Sequence, residues 1–332
     1  MANKVRNAFW SAPNMLPPLP SLQDFIYMFK LNAKKVFSQN YIMDMHITRK
    51  MVRMAGDVDS GFVAEIGPGP GSITRAILER HVDRLDVVEL DERMHIHKGD
   101  ILKTDIGSIW KDAGAEKLAW YDEELPPLNI IGNLPFNIAT PLIIKYLREM
   151  SQRTGPWEFG RVPLTLSFQW EVASRMIADY VSDPKIVMRL GGSSFVPRPE
   201  VDVGLVRFVP RTEPLIPAPF EVVSKVATHV FIFKNKHIKN CLATLYPKHM
   251  AEDLVTDLLK HSRIDAETTS RHIGMDDMRD LCVQYMKHCH EYPGLILYKH
   301  DHPKVTLEKL KDQPNAVPPL YNFPTTGRIN GE

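Results

Sequence analysis

An apolar segment of the chain ends in the tetrapeptide Asn133-Leu134-Pro135-Phe136. The amide oxygen of Asn133 and a backbone carbonyl beside Pro135 could accept both hydrogens of an adenine amino group, which would draw the nitrogen lone pair out of its delocalisation into the ring. Phe136 could stack on the base once the base has left its helix. These residues indicate a site for methylating an adenine amine, with an ordinary turn after a buried strand as the alternative.

A glycine-rich loop precedes this tetrapeptide in the chain. Gly67, Gly69 and Gly71 follow an apolar, strand-like segment at 62–64 and stand before a helix-like segment. Glycines let the backbone pass close to a ligand, and amides at a helix start favour a carboxylate or another polar group. The spacing differs from the dinucleotide fingerprint because Ser72 breaks the G-x-G-x-x-G pattern, and no Lys-Ser/Thr pair of a phosphate loop is present.

Two acidic residues follow the next strand-like segments. Glu89 ends a second apolar strand, where it could bind both hydroxyls of a ribose. Asp100 ends a third strand, predicted to begin near Met94, where it could accept a hydrogen bond from an adenine amine. Each acid alone could be a solvated strand end. Together with the glycine loop, they indicate a cofactor that carries a nucleoside and a carboxylate tail.

Six motifs in one order make the sequence similar to the ribosomal RNA adenine dimethyltransferase family, from about residue 21 to 300. It most resembles the mitochondrial branch, which includes proteins of the mitochondrial transcription factor B type. Six motifs in one order are far more specific than any one of them. They lie at residues 38–42, 65–71, 99–100, 133–136, 168–173 and 195–202.

The resemblance implies a fold and a cofactor. The fold would be α/β, a Rossmann-like class I S-adenosylmethionine-dependent methyltransferase domain followed by a small, mostly α-helical domain. The cofactor would be S-adenosyl-L-methionine, with positioning supplying most of the acceleration of methyl transfer. The residues that the resemblance assigns to the cofactor are Gln39, Asn40, Ile42, Gly67, Gly69, Glu89, Leu90, Asp100, Ile101 and Asn133.

The resemblance also implies a substrate and a location. The enzyme would dimethylate the amino groups of two adjacent adenines in a conserved hairpin of mitochondrial small-subunit rRNA, supporting ribosome assembly in the matrix. Its partners would be that hairpin and the small ribosomal subunit, a role with the mitochondrial transcription machinery is left open, and the chain is expected to be a monomer. Phe136 and Phe195 would be the walls around the target base. The catalytic set would be Asn133, Leu134, Pro135 and Phe136.

Two segments of the chain are shorter than the pattern requires. Only three residues separate the strand ending near Leu90 from the one predicted near Met94, whereas a parallel crossover needs about 10 to 12 residues. This loss is predicted to expose the apolar face of the outer strands. A second gap near Ala178 is predicted to remove part of the sheet edge and of the RNA-facing surface. The activity of this chain is therefore left open.

Three other functions fit parts of the sequence pattern. A nucleic-acid-binding assembly protein or transcription factor could retain the methyltransferase fold without catalysis, and the two short segments favour it. A DNA adenine methyltransferase usually has two prolines before the aromatic residue, whereas Leu134 stands here in place of the first. An oxidoreductase would need the missing glycine spacing.

The net charge of the 332 residues is only +1, so any basic surface must be confined to part of the molecule. Three cysteines lack metal or disulfide spacing, and His95 and His97 have no evident third ligand, so no metal is expected. No apolar run reaches 18 residues, which argues against a membrane span. The predicted phosphate contacts, with solvated helix faces as the alternative, are Lys34, Lys35, Lys234, Lys236 and Lys239.

The chain divides into four predicted regions. Residues 1–20 form a flexible N-terminus compatible with a weak mitochondrial presequence. Alternating strand-like and helix-like segments make 21–210 the methyltransferase domain, and helical periodicity makes 211–302 the C-terminal domain. Prolines predict a disordered tail at 303–332.

Overall fold

In a computed structural model of the protein, the described residues are 21–29, 40–89, 97–168, 172–199, 203–233, 235–302 and 305–319. Helices and strands alternate as far as Pro210, and helices follow. The elements are α1 (Leu22–Phe29), β1 (Tyr41–Ile42), α2 (Met45–Ala55), β2 (Phe62–Ile66), α3 (Ser72–Leu78), β3 (Arg84–Glu89), β4 (His97–Lys98), α4 (Ile106–Asp112), β5 (Leu128–Asn133), α5 (Phe136–Gln152), β6 (Leu164–Phe168), α6 (Val172–Val181), β7 (Ser182–Leu190), β8 (Phe195–Val196), β9 (Val203–Pro210), α7 (Phe220–Val230), α8 (Ile238–Leu242), α9 (Ala251–Ser262), α10 (Met275–Glu291) and α11 (Leu307–Leu310).

One sheet contains seven strands in the order β4-β3-β2-β5-β6-β9-β7. The pairs β2–β3, β2–β5, β3–β4 and β5–β6 are parallel, and β6–β9 is antiparallel. The central strand β2 is buried from Val63 to Ile66, as a parallel strand covered on both faces should be. The predicted α/β, Rossmann-like fold is confirmed, and the carboxyl ends of β2, β3 and β5 meet at one edge.

The helices that cover one face of this sheet have caps and apolar faces of the expected kind. The Asp44 side chain accepts a hydrogen bond from the His46 amide at 2.7 Å, which satisfies a free donor at the start of α2. On the buried side of α2, Met51 and Val52 belong to a hydrophobic cluster that includes Ile73 and Ile77 of α3. A two-stranded sheet joins β1 to β8, which brings segments distant in sequence together at the same cluster.

The chain forms two compact units: residues 1–149, 153–170 and 184–210, and residues 150–152, 171–183 and 211–332. The second unit contains the helices α6 to α11, and the predicted domain boundary at residue 210 stays a prediction. Within it, the buried ammonium of Lys225 donates to the carbonyls of Leu295, Ile296 and Tyr298 at 2.8–2.9 Å. Across the described part of the chain, no helix combines the length and apolar character needed to cross a membrane.

The prediction that the short connection after Glu89 exposes the outer strands is wrong for β3. Val87 and Val88 are each only 2% exposed. Strand β4 still pairs in parallel with β3, with Val88 opposite His97 and Glu89 opposite Lys98. The strand predicted from Met94 consists, among the described residues, of His97 and Lys98 alone, and residues 90–96 lie outside them.

The sheet has an edge strand, β7, directly after the second short segment, the one near Ala178. Helix α6 ends at Val181 and β7 begins at Ser182, so no loop separates them. Ser182 is buried, and its hydroxyl donates to the Ala178 carbonyl at 2.8 Å. Nine residues of β7 then occupy the edge beside β9, so the predicted loss of sheet edge does not leave that position empty.

The tail predicted to be disordered from residue 303 is ordered over 305–319. It contains α11, where Leu310 is 6% exposed, and Ala316 is 5% exposed. The Gly294 amide donates to the Ala316 carbonyl at 2.8 Å, which attaches this segment to the end of the second unit. The prolines of this stretch do not prevent its apolar residues from packing, so the disorder prediction is wrong for 305–319.

Candidate active site

A cleft opens at the carboxyl ends of β2, β3 and β5, the position at which doubly wound sheets bind ligands. It encloses about 460 Å³ of space that is partly open to solvent. The residues that line it come from β1, the glycine loop, the end of β3 and the end of β5. They are Asn40, Tyr41, Ile42, Gly67, Pro68, Gly69, Pro70, Ser72, Ile73, Glu89, Asn133 and Pro135.

The glycine loop has a backbone that other residues adopt only with strain. The φ angles are +63° at Gly67, +54° at Gly69 and +85° at Gly71. A Cβ atom at Gly69 would lie 2.9 Å from Cε1 of Tyr41, so this aromatic ring needs a glycine beside it. Of the described residues, a Cβ atom at Gly67 would meet the Asn133 carbonyl alone, at 3.9 Å, so cleft space lies against this residue.

Glu89 connects the end of β3 to the glycine loop. Its side chain is 6% exposed, and its Oε2 accepts a hydrogen bond from the Gly69 amide at 3.3 Å. A carboxylate has about four lone-pair sites, so this group can accept hydrogen bonds from a ligand as well as from protein donors. The predicted neighbours Gln39 and Leu90 lie outside the described residues.

Two hydrogen bonds fix the amide of Asn133. The Ser167 hydroxyl donates to its Oδ1 at 2.5 Å, and its Nδ2 donates to the Asn40 carbonyl at 2.9 Å. The Asn40 carbonyl can only accept, so it must face the amide nitrogen, and this assigns the orientation of the group. Asn133 and Ser167 are register partners in the parallel pair β5–β6.

The other members of the predicted tetrapeptide have different surroundings. Leu134 is 3% exposed and its amide donates to the Ser167 carbonyl at 3.3 Å, so its side chain belongs to the interior. Pro135 lines the cleft. Phe136 begins α5, and its side chain lies outside the described set.

Besides Leu134 and Phe136, three further predicted site residues are not among those that line the cleft, namely Asp100, Ile101 and Phe195. Phe195 is 4% exposed and packs in the hydrophobic cluster with Ile42, so its role as a wall for a target base stays a prediction. The Asp100 carboxylate accepts from the Leu102 amide at 3.0 Å, and Ile101 is buried. Lys145 donates to the Ile101 carbonyl at 3.0 Å and fixes this turn.

Glu65 is a buried acid beside the loop to which the sequence analysis assigned no role. It is fully buried, and no hydrogen bond of ordinary geometry from a described residue reaches either carboxylate oxygen. Burial raises the pKa of Glu65 from 4.5 to about 7; the negative charge of Glu89 adds to the rise and nearby Thr74 opposes it.

Tyr41 and Ser167 were also missed. Tyr41 lies between the predicted Asn40 and Ile42, and its position in the same motif was the available signal. Ser167 contacts Asn133 only because of the strand register, for which the sequence of one strand carries no signal.

The predicted basic clusters are only partly described, because Lys34, Lys35 and Lys234 lie outside the described residues. Lys239 forms an ion pair with Glu267, whereas Lys236 is exposed. His97 pairs with Asp86 at 3.1 Å. Within the described ranges no three His, Cys, Asp or Glu side chains are grouped as metal ligands would be.

Comparison with known proteins gives consistent similarities. The family described as ribosomal RNA adenine dimethylase matches residues 30–280. Dimethyladenosine transferase 1, mitochondrial, of Caenorhabditis elegans is 49% identical over 340 residues, covering 93% of each chain. The human protein of the same name is 38% identical over 312 residues, covering 85% of this chain and 89% of its own.

A solved structure supports the fold alone. The dimethyladenosine transferase from Plasmodium falciparum has a TM-score of 0.51 and 19% identity, and covers 74% of this chain and 96% of its own.

The alignment with the Caenorhabditis elegans protein is 340 residues long, which exceeds the 332 residues of this chain. Part of the worm protein therefore faces gaps in this chain.

Proposed function

We propose, from the premise that the chain belongs to the ribosomal RNA adenine dimethylase family, that it transfers methyl groups from S-adenosyl-L-methionine to adenine amino groups in rRNA. The proposed substrate is a hairpin of mitochondrial small-subunit rRNA in which two adjacent adenines each receive two methyl groups. The observation that carries this proposal is the common cleft of Asn133, Glu89 and the glycine loop.

The cleft has the chemistry that S-adenosylmethionine requires. Glu89 presents a carboxylate for ribose hydroxyls, and the open space against Gly67 allows a ligand to approach the backbone closely. Asn40 and Ile42 are the proposed contacts at the methionine end, with Asp100 and Ile101 proposed for the cofactor adenine. When bound, the cofactor supplies an electrophilic methyl group on a positively charged sulfur.

The residues of this chain position the nucleophile. The Asn133 amide oxygen, oriented by Ser167, has a second lone pair that can accept a hydrogen of the target amine. The Pro135 carbonyl accepts from the Ile138 amide at 3.2 Å, so the Leu134 carbonyl is the proposed second acceptor. Accepting both hydrogens directs the nitrogen lone pair towards the methyl donor without a strong base.

A methyl-transfer assay tests the proposal. The purified chain is incubated with labelled S-adenosylmethionine and an unmodified hairpin that carries two adjacent adenines. Label is expected in dimethyladenosine and is expected to disappear with Asn133→Ala. Cofactor binding without transfer by the wild-type chain would support the assembly-protein alternative and refute the enzymatic proposal.

The names of the relatives support the location, and the partners are part of the proposal. They are mitochondrial, so this chain is assigned to the mitochondrion, and the matrix is the proposed compartment. We propose that it acts as a monomer on the small ribosomal subunit, and that residues 21–210 form the catalytic domain and 211–302 a helical domain. Transcription machinery remains a further proposed partner of the mitochondrial branch.

A further inference from the structure

Helix α2 has two faces of opposite character. Its buried side is formed by Thr48, Met51, Val52 and Ala55, whose spacing of three and four residues is that of an amphipathic helix. On the other side His46, Lys50 and Arg53 are exposed, again at intervals of four and three residues. The helix contains no Asp or Glu between Met45 and Ala55. Folding needs only the apolar side, so it does not explain the basic residues.

Two nearby acids, Glu79 and Asp59, already have other partners. Glu79 accepts two hydrogen bonds from Arg49 at 2.6 and 2.8 Å, and this guanidinium lowers the pKa of Glu79. Asp59 is bound in the same bidentate way by Arg80, at 3.0 and 2.6 Å.

Among the described residues, the charges of Lys50 and Arg53 are therefore not neutralised by an ion pair. Asp44 uses its side chain to cap α2. Among the described residues, Lys50 and Arg53 form no ion pair, and both remain exposed on the surface of the first unit.

The basic face begins close to the cleft. Ile42 lines the cleft, and α2 starts three residues later at Met45. With a rise of about 1.5 Å per residue, Arg53 lies about 12 Å along the helix axis from that start. Side chains three and four residues apart on a helix are about 5–6 Å apart, so the face presents a row of donors leading away from the cleft.

We propose that this face of α2 binds the phosphate backbone of the RNA whose adenine enters the cleft. The inference rests on the proposed function and identifies residues that would hold its substrate. Charge complementarity selects the occupant, because a phosphate backbone is a row of negative charges and the chain has a net charge of only +1, so its cationic surface must be local. These residues position the RNA and do not touch the reacting atoms.

The salt dependence of RNA binding tests this. Binding of the unmodified hairpin is measured by fluorescence anisotropy at several salt concentrations for the wild-type chain and for Lys50→Ala/Arg53→Ala. Each phosphate contact contributes about 0.7 to 0.9 to the slope of log affinity against log salt, so the double variant should lose about 1.4 to 1.8 of that slope and bind at least tenfold more weakly near 0.1 M salt.

Two matched variants make the test specific. Lys111→Ala/Lys260→Ala removes two exposed charges elsewhere and should leave both affinity and slope unchanged. Lys50→Arg/Arg53→Lys keeps the charges and should retain most of the binding. Cofactor affinity, measured by calorimetry without RNA, should be the same in all four proteins, which shows that the fold and cleft are intact.

Three results would overturn the inference. If the wild-type chain methylates the hairpin and the alanine variant has the same salt slope, the RNA-binding role of the α2 face is refuted and the proposed function stands. A wild-type chain that binds cofactor but no hairpin would refute this surface and the proposed function together. Displacement of the hairpin by a poly-glutamate peptide of equal charge, at equal affinity and dependent on Lys50 and Arg53, would assign the face to an acidic protein instead.

Discussion

Ser167 donates its hydroxyl to Oδ1 of Asn133, although 34 residues separate the two in the chain. Asn133 in turn donates to the carbonyl of Asn40, 93 residues away. Three segments of the chain thus fix one amide group at the edge of the cleft. Since the Asn133 oxygen is the proposed acceptor for a target amine, its orientation is as important as its identity.

Replacing Asn133 or Ser167 should therefore affect catalysis to different degrees. Asn133→Ala should lower kcat at least 100-fold, the effect of removing one oriented polar group from a transition state. Ser167→Ala should lower kcat about tenfold and leave cofactor affinity almost unchanged, because Asn40 still holds the other side of the amide. Single-turnover methyl transfer and calorimetric titration with cofactor measure the two quantities.

Thr165→Val is the matched control for Ser167→Ala. Thr165 lies two residues earlier on the same strand, is also buried, and has a hydroxyl without a hydrogen-bond partner among the described residues. It should leave kcat unchanged. If Thr165→Val and Ser167→Ala reduced kcat equally, the Ser167–Asn133 hydrogen bond would have no positioning role.

Gly67 and Gly69 should respond differently to alanine. Both have positive φ, so each substitution costs about 1–2 kcal/mol of strain. Gly69→Ala also forces a Cβ against the ring of Tyr41 and should lower both the Tm and cofactor affinity. Gly67→Ala places its Cβ in open cleft space and should lower cofactor affinity more than tenfold with a smaller change in Tm. Thermal unfolding and calorimetry on both variants measure these effects. If the loss of Tm relative to the loss of cofactor affinity were the same in both variants, the loop geometry would be contradicted.

Glu65 should make folding stability depend on pH. Below about pH 4.5 its carboxyl is protonated in the folded and unfolded chain alike. Between pH 4.5 and about 7 the unfolded chain releases the proton while the folded protein keeps it, so stability falls as pH rises. In the protein without cofactor, the free energy of unfolding should fall by about 3 kcal/mol over this range and stay constant above pH 7.

Glu65→Gln should remove this component. The difference in Tm between pH 5 and pH 8 should be smaller in the variant than in the wild-type chain. Glu79→Gln serves as the control because Arg49 lowers the pKa of Glu79, which gives the opposite dependence on pH. Parallel Tm curves for wild type and Glu65→Gln would show that Glu65 is charged in the folded protein at all these pH values.

The ordered tail should contribute to the stability of the second unit. Leu310 is buried, and at Gly294 a Cβ would lie only 2.8 Å from the Leu310 Cβ, so the two segments are in close contact. Leu310→Ala should cost about 2 kcal/mol or more and lower the Tm. Val317→Ala, at a position that is 37% exposed, should have little effect. Equal and negligible effects would support the original expectation of a disordered tail.

Much of this fold was predictable because its signals are local. Apolar runs that end in Glu89 and Asn133 predict the strands and the edge at which they meet, and helical periodicity predicts helices in the region that contains α9 and α10. Contacts that depend on register were not predictable. The Ser167–Asn133 bond requires the alignment of β5 with β6, and β1 has only two residues with which to specify its pairing to β8.

The tail shows a different limitation of sequence patterns. Its proline content indicated disorder, whereas two apolar side chains, Leu310 and Ala316, are sufficient to attach it. Composition averages over a segment, but burial depends on individual positions. The basic face of α2 was likewise not recognised. Its charged residues form a row only once the structure shows which side of the helix is buried.

The direct passage from α6 into β7 has a consequence for engineering. Because Val181 and Ser182 belong to consecutive elements and Ser182 is buried, this junction presents no exposed peptide bond for a protease and no flexible site for an inserted tag. Inserting residues here would not merely lengthen a loop. It would have to break the Ser182–Ala178 hydrogen bond and rebuild the boundary between a helix and a strand. A chimaera at this point would therefore change the folding of the sheet edge as well as the length of the chain.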